Sequence, residues 1–430
     1  MIKTTMPFSR IKSETGRISV LAAVLCVVVS CGLTSRYSFV GISALHVAAY
    51  LGQTAQIEKH LYKNMPVDAE DHRQMTALMW AGIGGRNEAT QLLLSKGANV
   101  HHATKEELTP LMWASYCGNT ELLPLLLNER PDVNKTDKNG ATAIMYATAS
   151  GAQKSIEMLL SKGADPNIKD INGQTALIAA SWTGNVGIMQ LLIDKGANSN
   201  AKDGKGQTAL MYTARRGHAK CAEILLARGA DPNNRSTQGL TALHVASQHG
   251  QLAIVQLLLN NRADPSIKDV HGRTPLLFAS QEGYSSVVKT LIAKGTDLNS
   301  QEMYGWTPLM RATQHGHLAS ARILLNAGAD PGIANDDGMT SLMYAIRNYN
   351  KDFVLQMMGN STDINYRNQG GDSLLALAIA ANNVDLVGEL IKRGADVNAK
   401  SGSGKSMLAL ARANGSPGIE KILKDSGAKE

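Results

Sequence analysis

The residues with the means to do chemistry are few and far apart along the chain. Gly402-Ser-Gly-Lys-Ser406 has the outline of a phosphate-binding loop. Such a loop needs another Gly five residues before its final Gly, so that backbone N–H groups can close round the phosphates, and Ala399 holds that place. Met79, Met112, Met145, Met211, Met310 and Met343 could offer thioethers to a soft metal, but they recur at multiples of 33 residues. Units of that length stacked side by side would hold them roughly 10 Å apart, too far to converge on one ion. His101 and His102 are neighbours with no further ligand nearby, and His249 and His315 fall two units apart, roughly 20 Å by the same packing distance. Cys117 and Cys221 are about three units apart, beyond the roughly 7 Å between Cα atoms that a disulfide spans. Cys221 stands where Ile188 and Ile254 stand in other units and is expected in the core, with Cys117 nearer the surface. No Ser, His and Asp grouping is present, so no catalytic, metal or cofactor residue is assigned and the chain is not expected to be an enzyme.

What would position these residues is a repeat. One hydroxyl recurs every 33 residues without insertion or deletion: Ser43, Thr76, Thr109, Thr142, Thr175, Thr208, Thr241, Thr274, Thr307, Thr340, Ser373 and Ser406. A drift-free period of this length arises when each supersecondary unit buries the same faces against its neighbours. Around the hydroxyl runs Gly-x-Thr-Ala/Pro-Leu-x-x-Ala, a turn entering a helix. The hydroxyl can cap that helix, and Pro110, Pro275 and Pro308 sit at its first position, where a missing N–H costs nothing. Leu45, Leu78, Leu111, Leu243 and Leu309 should face the core, and Ala48, Ala81, Ala147, Ala246 and Ala312 should let helices approach. Nine residues past the hydroxyl a Gly, such as Gly52, Gly184 or Gly283, should end the first helix. A second helix follows, with apolar stripes such as Val255-Gln-Leu-Leu-Leu259, and stops at Gly97, Gly163 or Gly229. The scarcity of aromatics, 4% against 43% apolar residues overall, suits thin stacked helices better than one thick core.

These residues resemble the ankyrin repeat, whose Thr-Pro-Leu-His signature stands nearly intact as Thr241-Ala-Leu-His244 and Ser43-Ala-Leu-His46. Its Gly-Ala-Asp-x-Asn loop recurs at Gly163-Ala-Asp-Pro-Asn167 and Gly229-Ala-Asp-Pro-Asn233. The resemblance covers about nine-tenths of the chain and implies an all-α ankyrin-repeat solenoid of twelve units over 38–430, each an antiparallel helix pair with a projecting hairpin loop. Departures mark weaker places. Met replaces the signature His in six units. Asn64, Arg130, Arg262 and Ser361 replace the Gly that ends the second helix, so looser loops are expected there. Tyr349 and Asn382 replace the first-helix Gly, where a softer joint is expected.

Ahead of the repeats, residues 1–30 read as a signal peptide. A basic stretch ending at Arg17 precedes an uncharged apolar run, Ile18 to Ser30, of about 13 residues, short of the roughly 20 that span a bilayer. Val28-Val-Ser-Cys31-Gly resembles a relaxed bacterial lipobox, with Cys31 the lipidated residue and 31–37 a short linker. Plain cleavage or a retained signal anchor is the alternative. Lipidation would tether the body to a membrane leaflet through acyl chains worth about 0.8 kcal/mol per buried CH₂. The expected address is the periplasm or cell envelope of a bacterium.

The formal charge of +7 owes about three charges to Lys3, Arg10, Lys12 and Arg17, offset by Glu14. The remainder is interleaved with acids over the rest of the chain, unlike the clustered basic face of a nucleic-acid binder. In the family that the chain resembles, partners lie along a concave face, touched by the hairpins and by residues seven and eight places after the Thr. Carried onto this sequence, those places hold Tyr116, Trp182, Arg215, Arg216, Gln248, His249, Gln281, Gln314 and His315, with Met303, Tyr304, Trp306, Arg273 and Lys205 on the hairpins. Trp182 and Trp306 would be the anchors, or each aromatic merely covers its neighbour along the stack. Trp80, Trp113 and Tyr146, four past the Thr, are expected in the core. Arg311 breaks that apolar series. The function expected is a monomeric scaffold that holds a protein partner and needs no cofactor. A structural spacer shielding an envelope enzyme, or an enzyme with a hidden site, are the other readings.

Overall fold

The computed structural model describes residues 42–348, 351–359 and 363–430. The signal segment, Cys31, Tyr349 and Ser361 lie outside the described residues. Among the described residues, the regular structure is 24 α-helices and one short 3-10 turn, Met303–Gly305. The helices come in pairs, one pair to each hydroxyl. The chain divides into two compact units, one up to Gly204 and the other from Lys205 onward.

The first unit contains five pairs: Ala44–Leu51 with Thr54–Tyr62, Ala77–Gly84 with Asn87–Ser95, Pro110–Cys117 with Leu122–Asn128, Ala143–Ser150 with Gln153–Ser161, and Ala176–Thr183 with Val186–Asp194. The second contains seven: Ala209–Arg216 with Ala219–Ala227, Ala242–Gln248 with Leu252–Asn260, Pro275–Glu282 with Ser285–Ile292, Pro308–Gln314 with Leu318–Asn326, Ser341–Asn348 with Lys351–Met357, Leu374–Ala380 with Val384–Lys392, and Met407–Ala413 with Pro417–Asp425. Inside each unit, first helices pack on the first helices of neighbouring repeats. Second helices pack on second helices through the first unit, from repeat six to nine, and from eleven to twelve.

The signature residues account for this. Leu45, Leu78, Leu111, Leu243 and Leu309 are buried, as are Ala48, Ala81, Ala147, Ala246 and Ala312. The six Met residues are buried too, so thioethers pad the places where His46 and His244 make hydrogen bonds. Those two histidines clamp their own helix start through Nδ1 and reach the next loop through Nε2, at Ala69 O (2.8 Å) and Arg273 O (3.1 Å). The hydroxyls of Thr109, Thr175, Thr208, Thr241, Thr274, Thr307, Thr340, Ser373 and Ser406 accept from the N–H three residues on. Capping is not uniform, because the buried hydroxyls of Thr76 and Thr142 have no partner.

Several departures take the backbone that Gly takes elsewhere. Asn382, in place of a Gly, adopts the same left-handed backbone with φ 53°, so that turn is kept. Asn64, Arg130 and Arg262 also take positive φ, at 61°, 51° and 66°. The stack imposes the glycine conformation on these residues, and the two arginines carry the steric cost. Hairpin Gly173 has a second reason to be Gly, since a Cβ there would come within 2.7 Å of the Gly204 backbone nitrogen.

Candidate functional site

The hairpins are built from a residue that the sequence reading did not single out. Five places before the hydroxyl stands an acceptor: Asp71, Thr104, Asp137, Asp170, Asp203, Ser236, Asp269, Glu302, Asn335, Asn368 or Ser401. In Asp71, Asp137, Asp170, Asp269 and Asn335, Oδ1 accepts the backbone N–H groups two and four residues on, which closes the turn. In Asp71 and Asp137 the other oxygen accepts from the residue four past the hydroxyl. Trp80 Nε1 donates to Asp71 Oδ2 at 3.0 Å, and Tyr146 Oη to Asp137 Oδ2 at 2.8 Å. Trp80, Trp113 and Tyr146 are core, as expected, and Trp80 and Tyr146 are core with a satisfied polar handle.

Arg311, which broke the apolar series, is the same pairing with the charges made explicit. Its guanidinium forms an ion pair with the buried Glu302, the acceptor of its own hairpin. In repeat eight the fourth residue is Phe278, which has nothing to donate, and Arg273 supplies the donor to Asp269 instead, 2.7 Å away. The electrostatics follow the partner. Burial pulls the Asp269 pKa up, but the Arg273 guanidinium and the backbone N–H groups overcome it and hold the carboxyl below its usual value. Asp170 faces Ala179, which offers no donor, and burial raises its pKa despite the N–H groups of Gln174 and Asn172.

Adjacent hairpins are tied tip to tip by backbone bonds, such as Ile171 N–H to Asn139 O (2.9 Å) and Met303 N–H to His271 O (2.8 Å). On the other loop, the Asn eight places before the hydroxyl bridges successive repeats. Asn134 Nδ2 donates to Gly163 O while its Oδ1 accepts from Asp165 N–H, and Asn167, Asn233, Asn365 and Asn398 repeat the pattern. His101 and Gly332 stand in that place in repeats three and ten. Both sites open into cavities. One, of about 370 Å³, is lined by His101, Pro131, Asp132 and Lys135, and the other, of about 480 Å³, by Gly332, Leu342, Met357 and Tyr366.

The surface residues assigned from the sequence divide by position. Seven places after the hydroxyl, Tyr116, Trp182, Arg215, Gln248, Gln281 and Gln314 are half-buried; eight places after it, Arg216, His249 and His315 are exposed. Tyr116 and Trp182 belong to the first unit, the others to the second. Several make contacts within the stack. Tyr116 meets Tyr146 edge-on at 6.4 Å, and Arg215 lies 5.6 Å from the Tyr212 ring centre. His249 Nδ1 bonds to Val245 O, and Gln281 O is bonded by His317 Nε2. Trp306 is half-buried, stacked on Tyr344 at 5.0 Å with the Arg311 guanidinium 4.2 Å from its ring centre. Tyr304 and Met303 are exposed on the hairpin tip, as is Lys205, and Arg273 is half-buried against Asp269.

The residues with a chemical look have structural settings. Gly402 to Ser406 forms the hairpin of repeat twelve, closed by the Lys400 to Ser406 bridge. His102 bonds to Gln74 O, and His101 is exposed. Cys221 is buried and Cys117 exposed, each as a free thiol. Among the described residues no helix is long and apolar enough to cross a membrane.

A family model described as ankyrin repeats (3 copies) matches residues 16–104, 85–170, 167–236, 229–302, 276–368 and 342–429. No curated protein matches the chain.

Proposed function

This chain belongs to the ankyrin-repeat family, and on that premise we propose that it is a non-catalytic scaffold holding a protein partner in the bacterial cell envelope. Ankyrin repeats generally mediate protein–protein interaction, and proteins built of them are typically scaffolds. The observation that carries the reading is the exposure of the position eight past the hydroxyl through repeats six to twelve, Arg216, His249 and His315 among them, beside hairpins fixed by their own buried acceptors. A row of equivalent, differently decorated positions on rigid supports is a binding surface in form. The partner-contacting set is Trp182, Trp306, Tyr116, Arg215, Arg216, Gln248, His249, Gln281, Tyr304 and His315. The protein acts as a monomer, without cofactor or nucleic acid, and is tethered to the membrane through lipid on Cys31.

Co-purification with the full chain from envelope fractions tests the scaffold. Trp182→Ala and Trp306→Ala should each weaken capture by more than about 2 kcal/mol, as anchors do. Undiminished capture would favour a spacer that shields an envelope enzyme without a defined contact. For the tether, Cys31→Ser should move the protein out of the membrane fraction, and retention there would sink the lipid.

A further inference from the structure

We propose that the segment received by repeats six to nine is an acidic stretch leading into a large apolar side chain, an inference that rests on the scaffold reading above. The apolar end is marked by three exposed side chains on neighbouring hairpin tips: Val270 at 51%, Met303 at 48% and Tyr304 at 65% of full exposure. The bond from Met303 N–H to His271 O holds the two tips together, so these side chains form one patch. Tyr304 is also held at φ 73°, left-handed, by the short turn Met303–Gly305. Among the described residues no other hairpin residue at its place, including Gln238 and His271, has a positive φ. An aromatic ring held in water on strained backbone is a cost that a covering partner would offset.

Charge selects the rest of the segment. Towards repeat six the same surface carries Lys205, Arg215 and Arg216, with His249 beyond them. At the hairpin tips and at the seventh and eighth places of repeats six to nine, Glu282 is the sole carboxylate among the described residues, and Gln281 already donates to it. The hairpin acids Asp203, Asp269 and Glu302 are buried, and Arg273 and Arg311 neutralise the last two. On the far side of the apolar patch, the tip of repeat ten carries Asp336 and Asp337, whose charge repels a carboxylate there. The acidic run therefore points towards repeat six. Three repeat spacings come to roughly 30 Å, the reach of about nine extended residues.

The test uses the full chain and fluorescein-labelled peptides of about nine residues, with glutamates at one end and a Leu-Phe pair at the other, made in both chain directions. Anisotropy should show one direction binding at least about tenfold tighter than its lysine counterpart, with affinity falling as salt rises. Charge reversal by Arg215→Glu with Arg216→Glu should cost about tenfold, and Tyr304→Asn about fivefold, since Asn keeps the left-handed turn and loses the ring. Unchanged circular dichroism of the variants ties any loss to the surface. Equal binding of the lysine peptide, or indifference to both variants, overturns the proposal. If envelope capture of a partner persists through the charge reversal, the acidic class falls while the scaffold stands; if neither peptide nor partner binds, both fall. Self-association of the chain that peptide does not displace would assign the patch to a second copy and overturn the proposal as well.

Discussion

Trp113 has the burial of Trp80 without its hydrogen bond. Its Nε1 lies buried with no partner, because its hairpin carries Thr104 where Asp71 serves Trp80. Thr104 Oγ1 already accepts from Leu108 N–H at 3.1 Å, so a carboxylate at this place would find the same turn to close. Thr104→Asp should raise the urea midpoint, by about 1 kcal/mol of stability for the new bond. Histidine 244 makes a prediction of opposite character. Burial holds its pKa at about 4, against 6.5 for an exposed imidazole. Between those values the unfolded chain binds a proton that the folded chain refuses, so this contribution is whole above pH 6.5 and shrinks as pH falls towards 4. His244→Met, which installs the residue of repeats six and nine, should flatten the acid dependence of the unfolding midpoint over that window. The buried Met, Leu and Ala positions were all legible in the sequence, since a 33-residue period needs only apolar side chains to be read. The pairing of Arg311 with Glu302 was not, because two polar residues nine apart announce a bond only when the turn between them is known to fold back.

At the scale of helices and loops, the Gly and hydroxyl places told where each helix begins and ends, and the 24 helices follow them. Arg130, Arg262 and Asn382 take the left-handed backbone that Gly takes in the other repeats. Neighbouring repeats hold those turns, and the local preference of one residue, worth about 1 kcal/mol, yields to them. The bridging Asn ends the Gly-Ala-Asp-x-Asn loop motif, and its value emerges from where it is missing. Gly332 leaves Asp363 without the acceptor that Asn365 gives Asp396 and Asn398 gives Lys429, and a cavity lies alongside. The backbone there is not left-handed, and an added Cβ would meet only the flexible Asp330 carboxylate at 3.3 Å. Gly332→Asn should therefore stabilise the repeat-ten loop by about 1 kcal/mol and slow its amide exchange.

For the molecule as a whole, the sequence foretold an all-helical array, because the hydroxyl and apolar places repeat with the period. It could not foretell that Trp306 would be layered between Arg311 and Tyr344, since that contact joins two repeats through side chains of unlike type. Repeat twelve carries its charge in ion pairs over a buried apolar side. Ile419 and Leu423 are buried, while Glu420 binds Arg412 and Lys424, and Arg412 also reaches Glu430. A chain stopped after Gly404 would lay bare the apolar face beneath this lid, and it should aggregate at concentrations where the full chain stays monodisperse by light scattering. A different consequence follows from the donor and acceptor nine residues apart, both inside one repeat, as in Asp71 with Trp80. Unequal crossover between gene copies can add or delete a whole repeat and carry each such couple along intact. A breakpoint falling between the two partners would instead marry a tryptophan to a foreign threonine. Array length is therefore free to drift over generations, with its permissible seams confined to the stretch of coding sequence outside that short interval.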